Sequence, residues 1–156
     1  MAKESAGIVV WRRRGDAIEV FLVHPGGPFW AKKDRQAWSI PKGEVDASEV
    51  TLAAALREFE EETGQRIGGD FVALPALKQK GGKLVHAWAV EGDIDAERIV
   101  SNEFPLEWPP RSGVTRMFPE VDRARWFSLD EARDKLHAGL VPLVDAIAAV
   151  IPDSRP

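Results

Sequence analysis

Between residues 49 and 63 the chain has neither proline nor glycine, and its apolar and acidic residues recur with a helical period. Gly64 suits the left-handed position after a helix, and Ser48 offers a hydroxyl to cap its start, so a helix is predicted over 49–63. On a wheel advancing 100 degrees per residue, Leu56 and Phe59 fall within about 40 degrees of Leu52 and form a packing stripe with it. Glu58, Glu61 and Glu62 cluster on a different face, at about 180 to 280 degrees from Leu52. Each like-charge pair at this spacing costs an isolated helix roughly 0.2 to 0.5 kcal/mol. The negative end of the helix dipole adds to the cost. Arg57 reaches Glu61 one turn away, but one guanidinium does not neutralise three carboxylates, whereas a hard divalent cation takes such oxygen ligands. The plainer alternative is a solvated helix face, the usual fate of a run such as Glu58-Phe59-Glu60-Glu61-Glu62.

Composition narrows the choices. A chain of 156 residues has the length of one domain, expected over 1–156, and 44% hydrophobic with 29% charged residues lies near globular averages. A net charge of -4 does not resemble the basic footprint of a protein that holds extended nucleic acid. With no cysteine, any metal must be held by oxygen or histidine. Residues 1–7 carry Lys3 and Glu4 and lack the apolar run of a signal peptide, and no stretch of about 18 apolar residues follows, so a cytoplasmic protein that does not cross a membrane is expected.

Strands are predicted at 7–11 and 18–24 around a polar turn, with a surface loop over 25–36 and a short strand at 37–40 that Pro41 ends. Two further strands, 71–80 and 83–91, flank Gly81-Gly82 as a hairpin. Residues 92–120 hold Pro105, Pro109, Pro110 and Pro119 among Phe104, Trp108 and Phe118, and are read as a functional loop. A strand at 123–127 and closing helices at 129–136 and 141–151 complete the chain.

From Gly43 the spacing runs through five residues to Glu49, then seven to Arg57-Glu58-Phe59, one to Glu61-Glu62 and one to Gly64. This resembles the Nudix box, G-x5-E-x7-R-E-U-x-E-E-x-G-U with U a bulky apolar residue. Every fixed residue matches, and only Gln65 departs, at the last apolar position. The resemblance implies an α/β/α sandwich with a mixed β-sheet. It also implies a magnesium-dependent hydrolase, with manganese a possible substitute, acting on a nucleotide-like diphosphate substrate as a monomer or homodimer. By that resemblance Glu58 and Glu62 are the first candidates as metal ligands, Glu61 is next, and the Lys42 carbonyl is a further oxygen. Glu58 is base or ligand, and Arg57 orients a box glutamate. Pro41-Lys42-Gly43 also resembles the branch containing dinucleoside polyphosphate (Ap4A-type) hydrolases and predicted NTP pyrophosphohydrolases. A catalytically silent module that binds nucleotide or a protein partner is the alternative of another class, and the intact box acids oppose it.

Glu49 lies nine residues before Glu58, about 13 Å along a helix axis, and is read as structural, at the positive end of the dipole. Family members often supply another catalytic carboxylate after the box, for which Glu120 is the candidate against a plain loop acid. Lys42 is the candidate phosphate contact, ahead of Lys32 and Lys33. Trp30, Trp38, Trp88, Trp108 and Phe118 are candidates to stack on a base or to fill the core. His24, His86 and His137 have no metal-ligand spacing and are read as structural.

Overall fold

The computed structural model describes residues 3–152; Met1, Ala2 and residues 153–156, which belong to the predicted domain span and N-terminal stretch, lie outside the described residues. Strands β1 (Glu4–Arg14) and β2 (Ala17–Pro25) form the antiparallel hairpin expected from their alternating pattern. β3 (Lys42–Glu44) is followed by helix α1 (Thr51–Thr63), then by β4 (Val72–Ala73), β5 (Leu77–Lys78) and β6 (Leu84–Glu91). β7 (Glu103–Glu107), β8 (Thr115–Pro119) and β9 (Val121–Ser128) precede α2 (Leu129–Lys135) and α3 (Pro142–Val150).

The main sheet runs β4-β6-β1-β2-β9, with β3 beside β1 and β5 beside β6. It is mixed because β1 and β6 are parallel while the other pairs are antiparallel. Alternation along each strand feeds two cores. Ile8 and Val10 of β1, with Phe21 and Val23 of β2, face α1 through Ala54, Ala55 and Phe59. Val9, Trp11, Val20 and Leu22 point the other way, onto Leu136, Leu143, Val144 and Ile147 of the C-terminal helical region. The α/β/α sandwich of the sequence reading is therefore present.

Five expectations change. Helix α1 begins at Thr51 rather than Glu49, and its cap position is Val50, with no side-chain cap hydrogen bond. The reason is local: Glu49 is held in a turn, its N–H donating to the Asp46 carbonyl and its carboxylate accepting from the Asp46 N–H. The fully buried helix residues are Ala54, Ala55, Phe59 and Thr63, while Leu52 and Leu56 are only partly covered, because the small alanines bring α1 close to the sheet. The strand expected at 37–40 reduces to single bridges from Trp38 and Ser39, and the one expected at 71–80 breaks into β4 and β5 around Pro75. Finally, the stretch read as a loop over 92–120 contains a separate two-stranded sheet, β7 with β8, in which Phe104 faces Phe118.

Candidate active site

The site begins where β1 and β2 part. Near their turn they pair directly, from Trp11 with Val20 to Arg14 with Ala17. At the open end Ser5 to Gly7 pair instead with Lys42 to Glu44, and Val23 exchanges two hydrogen bonds with Ser39, of 2.8 and 2.9 Å. Residues 39–44 are thus wedged between the two strands. Gly7 permits the wedge, since a Cβ there would stand 2.7 Å from both the Lys42 Cβ and the Pro41 carbonyl oxygen.

Gly43 performs a similar service for the helix. A Cβ on Gly43 would meet the Glu58 carboxylate at 2.1 to 2.4 Å, so the missing side chain is the space the carboxylate fills. Arg57 ties the loop to the helix: Nε and Nη2 donate to the two Glu49 oxygens at 2.9 and 3.0 Å, and Nη2 also donates to the Glu44 carbonyl at 3.1 Å. Its Nη1 donates to Glu58 at 2.9 Å and to Glu61 at 3.2 Å. These bonds, those to Glu49 first, raise the Arg57 pKa and lower that of Glu49. Glu49 is therefore held by Arg57, not by the helix dipole.

The C-terminal end of α1 carries the opposite wall. Gly64, at φ 72°, donates to the Glu60 carbonyl and closes the helix. Two remaining carbonyls are met by the next segment, Glu61 by the Asn102 N–H at 2.8 Å and Thr63 by the Val100 N–H at 3.0 Å. The Asn102 carbonyl in turn accepts the Glu120 N–H at 2.7 Å, and Gly26 donates its N–H to the Glu120 carbonyl at 3.0 Å. Gly26 leaves no room for substitution, because a Cβ would lie 1.9 Å from the Pro119 oxygen.

Lys42, Glu58, Glu61, Glu62 and Glu120 consequently line one cavity of about 380 Å³ with Gly43, Glu44 and Asn102, while Arg57 stands behind it. Burial, and then the charge of Glu58, push the Glu62 carboxyl up to about 8, with Lys42 partly opposing. Burial also raises Glu58, despite its bond to Arg57. Lys42 is lowered, first by burial and then by the charge of Lys83. Burial thus disfavours the charged forms of Glu58 and Glu62 in the absence of a cation, which is the electrostatic character of a site built to receive one. Among the described residues no three acidic or histidine side chains already form a finished metal cage, and Arg57 holds oxygens of both Glu58 and Glu61. The donor set itself, carboxylates and backbone carbonyls without thiolate, fits a hard divalent ion once those carboxylates turn inward.

A second space of about 190 Å³ shares Lys42, Glu62 and Glu120 with the acidic cavity and continues past Pro25 and Ser39. It opens into a third, also about 190 Å³, lined by Trp30, Gln79, His137 and Leu140 and again bounded by Lys42. Trp38 is wholly buried and so closed to a ligand, while Trp88 is half-buried against the core under α1. Phe118 and Trp108 lie on the hairpin. Of the histidines, His24 is buried between Asp122 at 2.8 Å and the Lys33 carbonyl at 2.6 Å, and His86 meets Glu4 at 2.7 Å. His137 accepts the Gly139 N–H at 3.2 Å, a structural cap that also borders the third space. Sequence reasoning missed Asn102, Gly26, Gln79 and the second position of His137. The first two act through backbone groups, which leave no side-chain signature.

The NUDIX domain model matches residues 1–147, and the chain belongs to the Nudix hydrolase family. Family members generally use divalent metal cations. The chain is 27% identical over 147 residues to the 8-oxo-(d)GTP phosphatase of Mycolicibacterium smegmatis, a match covering 85% of this chain but 37% of that protein. It is 30% identical over 145 residues to the asymmetrical bis(5'-nucleosyl)-tetraphosphatase of Rattus norvegicus, covering 85% of this chain and 83% of the relative. In fold it is similar to a C. elegans Ap4A hydrolase in a binary complex, with a TM-score of 0.62, 22% identity, and 93% and 96% of the two chains covered.

Proposed function

We propose that this chain hydrolyses a phosphoanhydride bond in a nucleoside triphosphate or another nucleoside diphosphate-linked compound, using magnesium, or manganese in its place. The carrying observation is the cavity in which Glu58, Glu61, Glu62 and Glu120 face one another beside Lys42. Glu58, Glu61 and Glu62, with the Lys42 carbonyl, are the groups to hold the cation. A divalent cation held there supplies charge neutralisation and lowers the pKa of an attacking water. In the reaction a water oxygen bonds to phosphorus, the bridging oxygen leaves with its electron pair, and a carboxylate takes the water's proton. Glu58, oriented by Arg57, and Glu120 on the opposite wall both border the space where that proton is released. Lys42, which borders all three spaces, is the residue to meet phosphate charge with its ammonium. Trp30 offers an aromatic wall for a base, with Gln79 and His137 as polar partners for its edge.

Pro41-Lys42-Gly43 and the likeness to a tetraphosphatase favour dinucleoside polyphosphates as a second reading within the same chemistry. The deciding experiment incubates the protein and its Glu58→Gln variant with magnesium and a panel of nucleoside triphosphates, dinucleoside polyphosphates and nucleotide sugars, with products identified by mass. Magnesium-dependent turnover that the variant lacks is expected. Turnover equal in the variant, or independent of divalent ions, overturns the assignment.

A further inference from the structure

The turn that carries Trp30 is hydrogen-bonded to the rest of the molecule at one buried point. Among the described residues, the hydrogen bonds of 27–33 otherwise stay inside the turn, the Trp30 N–H donating to the Gly27 carbonyl at 3.4 Å and the Lys33 N–H to the Trp30 carbonyl at 2.9 Å. The exception is the Lys33 carbonyl, which accepts from Nε2 of the His24 ring at 2.6 Å. His24 is wholly buried on β2, its ring meeting that of Trp38 edge-on with centroids 5.1 Å apart, and its Nδ1 lies 2.8 Å from the Asp122 carboxylate.

The placement of Asp122 is built into the sheet. His24 pairs with Arg123 and Pro25 with Val121, so β9 carries one residue more than β2 between these pairs, and that residue is Asp122. A bulge of this kind re-aims a side chain, here onto the His24 ring. A carbonyl only accepts, so Nε2 carries a hydrogen, and a second hydrogen must lie between Nδ1 and the carboxylate. The Asp122 bond thereby fixes how the ring presents its other nitrogen. The Glu120 wall of the acidic cavity is anchored separately, by the backbone bonds to Asn102 and Gly26. Past the turn the chain has anchors of its own, the Gln36 N–H to the Asp134 carbonyl at 3.1 Å and Arg35 to the Asp134 carboxylate at 2.7 Å. What the His24 bond holds is therefore residues 28–33, with Trp30 on the wall of the third space and the Lys33 ammonium 4.9 Å from the centre of its ring.

We propose that His24 is a positioning residue for substrate binding: oriented by the bulged Asp122, it holds the Trp30 turn, through the Lys33 carbonyl, where that ring receives a base. This rests on the hydrolase reading above and adds to it the buried group that sets substrate affinity. His24 lines none of the three spaces and meets no reacting atom, so its effect falls on KM rather than on kcat.

The test measures KM and kcat for ATP and diadenosine tetraphosphate, with magnesium, in the unmodified protein and in His24→Ala, Asp122→Ala, Asp122→Asn and Trp30→Ala. His24→Ala and Asp122→Ala are expected to raise KM by about fivefold or more with kcat within about threefold, because a loosened wall loses binding that ground state and transition state share. Should His24→Ala fail to fold, Asp122→Ala carries the same comparison, since the Asp122 side chain reaches solvent. Asp122→Asn should keep KM close to that of the unmodified protein: its amide donates to Nδ1 while the Nε2 hydrogen stays on the Lys33 carbonyl. A double-variant cycle then asks whether His24 acts through Trp30, in which case Asp122→Ala adds little once Trp30 is alanine. Additive increases in KM, a parallel fall in kcat, or a loss in Asp122→Asn equal to that in Asp122→Ala overturns the proposal. Hydrogen exchange of the backbone amides of 29–33, without nucleotide, reads the His24 bond apart from hydrolysis. Faster exchange in Asp122→Ala that Asp122→Asn restores supports it even if neither nucleotide is hydrolysed. Unchanged exchange in Asp122→Ala refutes it even if hydrolysis is found.

Discussion

Residues 42–64 supply most of the acidic cavity's lining and the hairpin at 103–119 springs from its rim between Asn102 and Glu120, yet the two are built on opposite terms. In the first region the key charged groups are tied down: the Glu58 carboxylate occupies the place of a Gly43 side chain, and one guanidinium binds the Glu44 carbonyl and the carboxylates of Glu49, Glu58 and Glu61. In the second, the strands are paired mainly with each other, and Phe29 supplies an aromatic contact from outside. The first arrangement fixes the positions of charges to within the length of a hydrogen bond, as phosphoryl chemistry requires. The second holds its position at the root, through Asn102 and Glu120, and leaves Val114 and Met117 of its outer half exposed. Substitutions in the first region should therefore act on rate far more than those in the second.

The largest effect is expected in the first region. Glu58→Gln or Glu62→Gln should lower kcat at least about a hundredfold on every substrate while circular dichroism remains that of the unmodified fold, because a ligand or base acts on the transition state. Near-normal turnover in both variants, with contaminating phosphatase excluded, would move the chemistry elsewhere. A smaller loss, about tenfold or more, is expected from Gly43→Ala. The added methyl overlaps the end of the Glu58 side chain, which can swing aside at little cost to the fold but not without leaving its position against Arg57. Melting temperature within a few degrees of the unmodified protein, together with reduced kcat, is the expected pair of readings. A lowered melting temperature with unchanged kcat would mean that the glycine serves packing alone.

The contrast between the regions also explains what the sequence disclosed. The acidic face of α1 was legible because Glu58, Glu61 and Glu62 recur at helical spacing, and the box spacing from Gly43 to Gly64 placed Lys42 beside them. The strands β1, β2 and β9 were legible because each is a run of β-forming residues closed by turn or cap signals. The helix start was not, since Ser48 looks like a cap and only the Glu49 bonds to Arg57 and Asp46 keep the turn before Thr51 non-helical. The hairpin was hidden because Pro105, Pro109, Pro110 and Pro119 read as loop, although prolines are tolerated on strand edges that face water. Glu120 was named only through family likeness. What fixes it, the chain of backbone bonds through Asn102 and Gly26, spans residues far apart in sequence.

A pH-dependent effect on stability comes next in size and belongs to the first region alone. Glu62 is pushed up to about 8 in the folded protein, from an ordinary value of 4.5, by burial and by Glu58. The folded state then binds more protons than the unfolded state between those values, so stability falls as pH rises from about 4.5 and the loss is complete above about 8. Glu58, also raised, adds in the same direction. Melting in the presence of a chelator across this range should show the decline, and Glu62→Gln should flatten it, with its greatest stabilisation at the alkaline end. An equally steep decline in the variant would assign the pH dependence to other groups.

The smallest expected effect is the response to the cation itself, and it does not depend on which substrate is used. A divalent ion that binds the folded carboxylates but not the dispersed unfolded ones stabilises the fold by mass action, by roughly 2.7 kcal/mol at about 100 times its dissociation constant. For a domain of 156 residues that corresponds to several degrees in melting temperature. Sodium chloride at matched ionic strength supplies the control, because general screening also relieves repulsion among Glu58, Glu61 and Glu62. Magnesium or manganese should raise the melting temperature beyond that control. Glu58→Gln combined with Glu62→Gln should abolish the excess while making the metal-free protein more stable, since two acids whose ionised forms burial and mutual repulsion penalise are gone. Phe29→Ala, in the loop that packs against the hairpin, should leave the magnesium increment unchanged, because Phe29 is not among the residues lining the acidic cavity. If the double glutamate variant responds to magnesium like the unmodified protein, the acidic face of α1 is a solvated helix surface and the contrast between the two regions fails.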